Sequence, residues 1–183
     1  SVDLPDSVTS IGNKAFQGCS KLESIDLSNT GVTSIGSYAF QNCSNLTSVG
    51  DIPDSVTSIG NNAFYGCSKL ESVDLSNTQI TSIGDNTFQN CRSVTSIDLP
   101  ESLTSIGGSA FQGCSSLTSI DLPESLTSIG SNAFYGCSSL TSINVSEDNE
   151  NYYSLEGVLY NKNMTELIKY PEGKKDLTTY VIP

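Results

Sequence analysis

Six cysteines recur at intervals of 23 or 24 residues, and thiols at a fixed repeat could bind a metal, form disulfides or pack in a core. If repeats stack, neighbouring cysteines have Cα atoms about 5 Å apart, which is within disulfide range. Zinc lacks its usual partners, because the chain has no histidine and no C-x-x-C pair. Each cysteine follows a phenylalanine by three residues, so we expect buried, reduced thiols that pack as small hydrophobic groups. The cysteines are Cys19, Cys43, Cys67, Cys91, Cys114 and Cys137.

Serine and aspartate alternate with apolar residues in a second recurring pattern, which predicts a short strand with these polar side chains pointing outward. Stacked carboxylates at strand spacing repel by about 1 kcal/mol per pair in solvent. A basic partner or calcium could compensate this repulsion, and we therefore consider a ligand-binding face. The alternative is a solubilising face that keeps an open array from aggregating. The outward pairs are Ser24 and Asp26, Ser48 and Gly50, Ser72 and Asp74, Ser96 and Asp98, Ser119 and Asp121, and Ser142 and Asn144.

Two further sets of polar residues have simpler explanations. A recurring Thr-Ser pair, as in Thr9-Ser10, could order water or ice, but β-propensity and mutual hydrogen bonding account for it. Four Asn-x-Ser/Thr sequences are weak signals in a chain this rich in serine and threonine. They begin at Asn42, Asn45, Asn144 and Asn163.

Composition argues against several function classes. The chain has 20 acidic and 8 basic residues and a formal charge of -12, which disfavours nucleic acid and anionic lipid as partners. No apolar stretch approaches the roughly 20 residues that span a bilayer. Without histidine or a glycine-rich phosphate loop, and with carboxylates spread over a repeat, we expect no catalytic residues and no cofactor or metal.

The elements that position these residues are three short pieces per repeat. The segment Leu22–Leu27 predicts a strand with Ile25 and Leu27 inward, and Val8–Ile11 predicts a second extended piece. Between them lies a predicted one-turn helix, whose interior side would carry Ala15, Phe16 and Cys19.

Residue types at both ends of this segment support the helical turn. Favoured N-cap residues stand two positions after the isoleucine of the second extended piece. Residues that tolerate the left-handed conformation stand two positions after each phenylalanine. The predicted starts are Asn13, Ser37, Asn61, Asp85, Gly108 and Ser131, and the predicted ends are Gly18, Asn42, Gly66, Asn90, Gly113 and Gly136.

Stacking must supply the stability of these repeats, because one turn of helix and a few apolar side chains cannot fold alone. With parallel strands in register, each phenylalanine packs on its equivalents in the neighbouring coils. One copy carries an extra residue in its strand, and Gly50 there predicts a bulge.

The pattern L-P-x-S-[VL]-T-S-I-G-x-x-A-F-x-x-C-x-x-L-x-S-I closely resembles the BspA-like family of leucine-rich repeats. The resemblance implies an α/β leucine-rich-repeat solenoid, with short parallel strands on one face and one-turn helices in coils of 23 or 24 residues. It also implies a cell-surface or secreted protein that binds protein or glycan ligands in adhesion, and it transfers no catalytic residue. The remaining alternative is a structural spacer without a specific ligand.

We divide the chain into six repeats over residues 1–145 and an insert with the start of a further repeat over residues 146–183. Val158–Tyr160 and Leu167–Tyr170 predict a β-hairpin, and a similar insert occurs in the BspA-like family. The tyrosines concentrated here could form a contact site, but packing over the adjoining coil is the favoured explanation. Both ends break off at a strand, which predicts a piece of a longer array and possible end-to-end self-association through uncapped coils.

Overall fold

The computed structural model describes residues 1–175, which form a solenoid of stacked coils with two columns of short strands. The first column, here the strand face, contains the predicted outward Ser/Asp pairs. It consists of β1 (Val2–Asp3), β3 (Ile25–Asp26), β6 (Ser72–Asp74), β8 (Ser96–Asp98), β10 (Ser119–Leu122) and β12 (Ser142–Val145). The second column, here the threonine face, consists of β2 (Ser10–Ile11), β4 (Ser34–Ile35), β5 (Ser58–Ile59), β7 (Ser82–Ile83), β9 (Ser105–Ile106) and β11 (Ser128–Ile129).

Every paired strand of the two columns is parallel and in register with its neighbour, which confirms the predicted stacking. Ser34 of β4 aligns with Ser58 of β5, one full repeat later. On the strand face, Val73 of β6 aligns with Ile97 of β8, and both side chains are buried. The alternation of inward apolar and outward polar residues is therefore the pattern that fixes the register.

The interior is a continuous column, as the repeat predicts. Neighbouring phenylalanine rings are stacked with centroids 5.2 to 5.8 Å apart and planes within 2° to 9° of parallel. The rings of Phe40, Phe64, Phe88 and Phe111 are completely buried. At the first coil the column is open, because Phe16 is only half-buried and Ala15 and Cys19 are exposed.

The predicted one-turn helices are absent from the part of the chain that the structure describes, and this prediction is wrong. The segment makes tighter turns instead, in which an N–H donates three residues back, as Ala15 does to the Gly12 carbonyl (3.2 Å). Alternate N–H groups donate to the next coil, as Lys14 does to the Ser37 carbonyl (2.9 Å). A left-handed residue near the start prevents a helical path in every coil. These residues are Lys14, Tyr38, Asn62, Asn86, Ser109 and Asn132.

The residues predicted to cap the turns act between coils. Asn13 Oδ1 accepts a hydrogen bond from the Ser37 N–H (2.8 Å). Asn61 Oδ1 accepts from the Asp85 N–H (3.1 Å), and Asp85 Oδ1 accepts from the Gly108 N–H (2.7 Å). The predicted left-handed ends are confirmed, with positive φ at Gly18, Asn42, Gly66, Asn90, Gly113 and Gly136.

Gly50, where the sequence predicts a bulge, interrupts the strand face. Its φ is 69°, a left-handed value that glycine adopts without strain. Between the coil of β3 and the next coil, strand pairing is reduced to a single bridge between Ser24 and Ser48. Regular pairing resumes with β6. A side chain at Gly50 would collide with the Asp26 carboxylate.

A three-stranded antiparallel sheet, here the end meander, follows the last coil. It consists of β13 (Tyr152–Leu155), β14 (Val158–Asn161) and β15 (Leu167–Lys169). The predicted hairpin is confirmed as β14 and β15, whereas β13 was not predicted. Glu156 and Gly157 join β13 to β14 with φ of 51° and 79°, the primed turn that favours a tight hairpin.

The end meander packs on the last coil. The Ile143 N–H of β12 donates to the Gly157 carbonyl (2.9 Å), and the Ser154 hydroxyl donates to the Ile143 carbonyl (2.6 Å). The buried Asn149 amide donates to the carbonyls of Pro123 (2.9 Å) and Leu126 (3.0 Å). The predicted start of a further repeat, at Tyr180–Pro183, lies outside the described residues.

Candidate functional site

The outward residues of the strand face lie where the alternation predicts. Ser24 and Ser142 are half-buried. The others are exposed to solvent: Asp26, Ser48, Ser72, Asp74, Ser96, Asp98, Ser119, Asp121 and Asn144. Their part in ligand binding stays a prediction.

Parallel register brings the acidic residues of successive coils side by side. At strand spacing, neighbouring positions are about 4.8 Å apart, so the carboxylates interact across solvent. Gly50 leaves one position of this column without a side chain. The aligned pairs are Asp3 with Asp26, Asp74 with Asp98, and Asp121 with Asn144.

Two of these carboxylates are bonded to their own chain. Asp26 Oδ1 accepts hydrogen bonds from the Ser28 hydroxyl (2.6 Å) and the Ser28 N–H (2.9 Å), and these bonds lower the pKa of the Asp26 carboxyl. Asp74 Oδ1 accepts the same two bonds from Ser76 (2.6 and 2.9 Å). A bond that an aspartate oxygen accepts from the N–H two residues later forms an Asx turn. These serine contacts were not predicted from the sequence, although an aspartate two residues before a serine is a signal for this turn.

Asp98 and Asp121 differ because a proline stands two residues later in each case. Pro100 and Pro123 have no N–H, so the bond that Asp26 makes cannot form. Within residues 1–175 the Asp98 carboxylate accepts no hydrogen bond, and Asp121 Oδ1 accepts one, from the Asn144 amide (2.7 Å). Among the predicted outward aspartates, the carboxylates most available to a ligand are therefore on β8 and β10.

These carboxylates line a shallow groove of about 460 Å³ over β8, β10 and β12. The groove is lined by acidic, hydroxyl-bearing and aliphatic residues, and none of its lining residues is aromatic. The polar lining residues are Ser76, Ser96, Asp98, Glu101, Ser119, Asp121, Asn144 and Ser146. Such a surface suits hydrogen bonding and charge pairing with a partner laid across several strands.

The calcium alternative gains no support from this geometry. Among residues 1–175, no three carboxylate or thiol groups come together in a way that could hold a metal ion. The aspartates form a single file along the column, whereas calcium needs six to eight oxygen ligands around one point.

A family model for the BspA-type leucine-rich repeat region matches residues 1–86 and 76–182, with six copies. The chain belongs to the BspA-type leucine-rich repeat family. No curated protein shows a significant match to its sequence.

Several solved structures of bacterial leucine-rich repeat proteins are similar to this BspA-type chain. A leucine-rich cell surface protein from Faecalibacterium prausnitzii is 32% identical, with a TM-score of 0.67 over 95% of this chain and 55% of that one. A leucine-rich repeat protein from Eubacterium ventriosum is 33% identical, with a TM-score of 0.71 over 94% and 45%. The pneumococcal vaccine antigen PcpA is 26% identical, with a TM-score of 0.80 over 95% and 47%. The chain thus spans about half the length of these proteins.

On the threonine face of the BspA-type array, side-chain hydroxyls donate to the preceding coil at four threonines, namely Thr33, Thr57, Thr104 and Thr127. Thr33 donates to the Thr9 carbonyl of the preceding coil (3.2 Å), and Thr127 donates to the Thr104 carbonyl (3.0 Å). These bonds tie one coil to the next, which supports a structural role for the threonines of the Thr-Ser pairs.

The cysteines of the BspA-type repeats form an interior ladder of thiols and no disulfide. Cys67 Sγ donates to the Phe40 carbonyl of the preceding coil (3.1 Å), and the other buried cysteines repeat this bond at 3.0 to 3.2 Å. Burial raises the pKa of Cys43 and Cys137 to about 11 and that of Cys91 well above its usual range. Among the six, Cys19 of the open first coil is exposed.

We expect Cys19 to react alone when the native chain is treated briefly with a thiol reagent near neutral pH. The other thiols are buried, and their raised pKa leaves almost none of the reactive thiolate. Intact-mass measurement should show a single adduct, and Cys19→Ser should show none. A native Cys19→Ser chain that still gains adducts would contradict the buried ladder.

The tyrosines of the C-terminal part divide between packing and exposure. Tyr160, on β14 of the end meander, is buried, as the packing interpretation predicts, while Tyr153 is 38% exposed. Tyr152 is half-buried, and its hydroxyl donates to the Thr127 carbonyl (3.4 Å). Tyr180 lies outside the described residues.

No helix within the described chain is long and apolar enough to cross a bilayer.

Proposed function

We propose that the chain is a surface-displayed or secreted binding module that engages protein or glycan ligands through its strand face. The observation that carries the proposal is the groove over β8, β10 and β12. Within the described residues, the Asp98 carboxylate there accepts no hydrogen bond and that of Asp121 accepts one, whereas Asp26 and Asp74 each accept two bonds from a nearby serine. Hydrogen-bond groups left open in a groove across several strands are those that a partner can use.

The extracellular setting is supported by the proteins to which the chain is similar. One is described as a cell surface protein and another as a vaccine antigen, a class of protein that antibodies must reach. A role in adhesion follows from that setting together with the extended strand face.

The charge of the strand face favours one kind of partner surface. Acidic side chains in the groove repel nucleic acid and anionic lipid and attract basic protein segments, or sugars that donate hydroxyl hydrogen bonds. The chain has no histidine to serve as general acid or base, and its acidic groups repeat along a column instead of converging. We therefore infer a binding role without catalysis.

The second candidate function is a structural spacer, and two observations favour it. Bonds between coils satisfy many of the chain's own polar groups, as with Asn144 to Asp121 on the strand face and Thr127 to Thr104 on the threonine face. The groove also lacks the aromatic anchors common in protein interfaces. A spacer would need the solenoid's length and stiffness but no chemistry in the groove.

The deciding experiment measures binding to extracellular-matrix proteins and host-surface glycans, followed by charge reversal of the strand face. In the variant, Asp74, Asp98 and Asp121 are each replaced by lysine. We expect affinity for the captured ligand to fall by about tenfold or more, because attractive charges become repulsive. Surface plasmon resonance at two salt concentrations measures the loss and its electrostatic part.

The matched control reverses three exposed acidic residues that lie outside the strands of the strand face and do not line the groove, namely Asp6, Asp148 and Glu150. It changes net charge equally, so a specific site predicts near-native affinity. Equal loss in both variants would show a general charge effect. Absence of any ligand, with adhesion unaffected by either variant, would favour the spacer.

A further inference from the structure

The structure places three of the four Asn-x-Ser/Thr sequences within the stacked coils and the fourth in a loop between β14 and β15. Asn45 Nδ2 donates to the Ser20 carbonyl of the preceding coil (2.7 Å), and Asn144 Nδ2 donates to Asp121 Oδ1 (2.7 Å). A sugar on either amide nitrogen would displace a bond between coils. Asn42 is exposed, but the other two residues of its sequence are held in the stack, since Cys43 is completely buried and Ser44 is half-buried.

Asn163 has a different environment. It lies in the loop between β14 and β15, and its side chain is exposed. The loop is held by its neighbour Asn161, whose Oδ1 accepts hydrogen bonds from the N–H groups of Thr165 (2.8 Å) and Glu166 (3.0 Å). Within the described residues the Asn163 amide makes no hydrogen bond, so a substituent there would cost the fold no contact.

The third residue of this sequence, Thr165, is also accessible to solvent. Thr165 is exposed, and its Oγ1 accepts a hydrogen bond from Asn161 Nδ2 (2.8 Å). Because the hydroxyl is an acceptor in that bond, it keeps its own proton to donate. Asn163 and Thr165 therefore offer a free amide and an exposed hydroxyl on one ordered loop.

We propose that Asn163 is an acceptor for an N-linked oligosaccharide, and that Asn42, Asn45 and Asn144 are not. The sugar donor is a polyprenyl-pyrophosphate-linked oligosaccharide. A bond forms between Asn163 Nδ2 and the anomeric carbon, the bond from that carbon to the pyrophosphate oxygen breaks, and the amide proton leaves to a base. This proposal rests on the extracellular location proposed above and is independent of any ligand on the strand face.

The test is secretion of the chain through a eukaryotic secretory pathway behind a cleavable leader. We expect most molecules to carry a glycan at Asn163, seen as a mass increase that peptide N-glycosidase removes with conversion of that residue to aspartate. Peptide mass mapping assigns the position. An unmodified chain, or equal occupancy at Asn45 and Asn163, overturns the proposal.

Two substitutions test the acceptor without disturbing the coils. Asn163→Gln should abolish the modification and leave circular dichroism unchanged, since the side chain is exposed. Thr165→Ser should retain the glycan because it retains the hydroxyl, whereas Thr165→Ala should lose it. A glycan that persists in the Asn163→Gln chain refutes the assignment. Because the secretion route is imposed, these results do not depend on strand-face binding or on the natural location.

Discussion

Replacing Phe88 with alanine is expected to lower the free energy of unfolding by about 3 to 5 kcal/mol, the usual cost of removing a buried aromatic ring. The Phe88 ring is completely buried and stacks on Phe64 (5.4 Å) and on Phe111 (5.8 Å). A cavity at this point would break the interior column between two groups of coils. Urea denaturation followed by circular dichroism measures the loss.

The matched control is Phe16→Ala in the open first coil. That ring is half-buried and has one stacking neighbour, Phe40 (5.2 Å). We expect less than half the loss seen at Phe88, because most of the Phe16 neighbours are on one side. Equal losses at Phe16 and Phe88 would contradict an interior that depends on stacking from both sides.

Replacing Gly107 with alanine is expected to destabilise the array by about 1 to 3 kcal/mol through overpacking, with the upper end favoured. An added Cβ would lie 2.6 Å from the carbonyl carbon of Gly84 and 2.7 Å from the backbone nitrogen of Asp85. No rotamer change can relieve a clash with backbone, so the coils must move apart. Hydrogen exchange should show faster exchange at the Gly107 N–H, which donates to the Ile83 carbonyl (2.7 Å).

Gly12 provides the control, because it holds the same place in the first coil and a Cβ there would meet no atom within 4 Å. Gly12→Ala should leave the stability unchanged or raise it by about 0.4 to 1 kcal/mol, since alanine restricts the unfolded chain. The comparison isolates the contact between coils from the backbone preference of glycine. A destabilising Gly12→Ala of similar size would refute this explanation.

Hydrophobic spacing predicts the coil, its register and its interior, because each depends on a pattern repeated six times. The turn segment could not be predicted from the same pattern. A cap-like residue before it and a left-handed residue after it suit a helical turn and a series of tighter turns equally. Asn62, Asn86 and Asn132 favour the left-handed conformation that excludes the helix, but Lys14 and Tyr38 at the same position do not indicate it.

The candidate site shows a similar limit. Alternation predicts which aspartates point outward, but the availability of each carboxylate depends on the residue two positions later. Ser28 bonds to Asp26, whereas Pro100 leaves Asp98 open. The rule is local and physical, so it could be applied to other sequences of this family. In the end meander, β13 was not predicted, because Glu156-Gly157 is a weaker turn signal than Asn-Gly or Asp-Gly.

The hydrogen bonds between coils run in opposite directions on different sides of the solenoid. In the turn segments an N–H points to the following coil, as in Phe16 to Ala39 (2.7 Å), whereas on the threonine face it points to the preceding coil, as in Thr33 to Thr9 (2.9 Å). Peptide dipoles on these two sides therefore oppose one another, unlike those of an α-helix. An array of this kind can grow by further coils without accumulating partial charge at its ends.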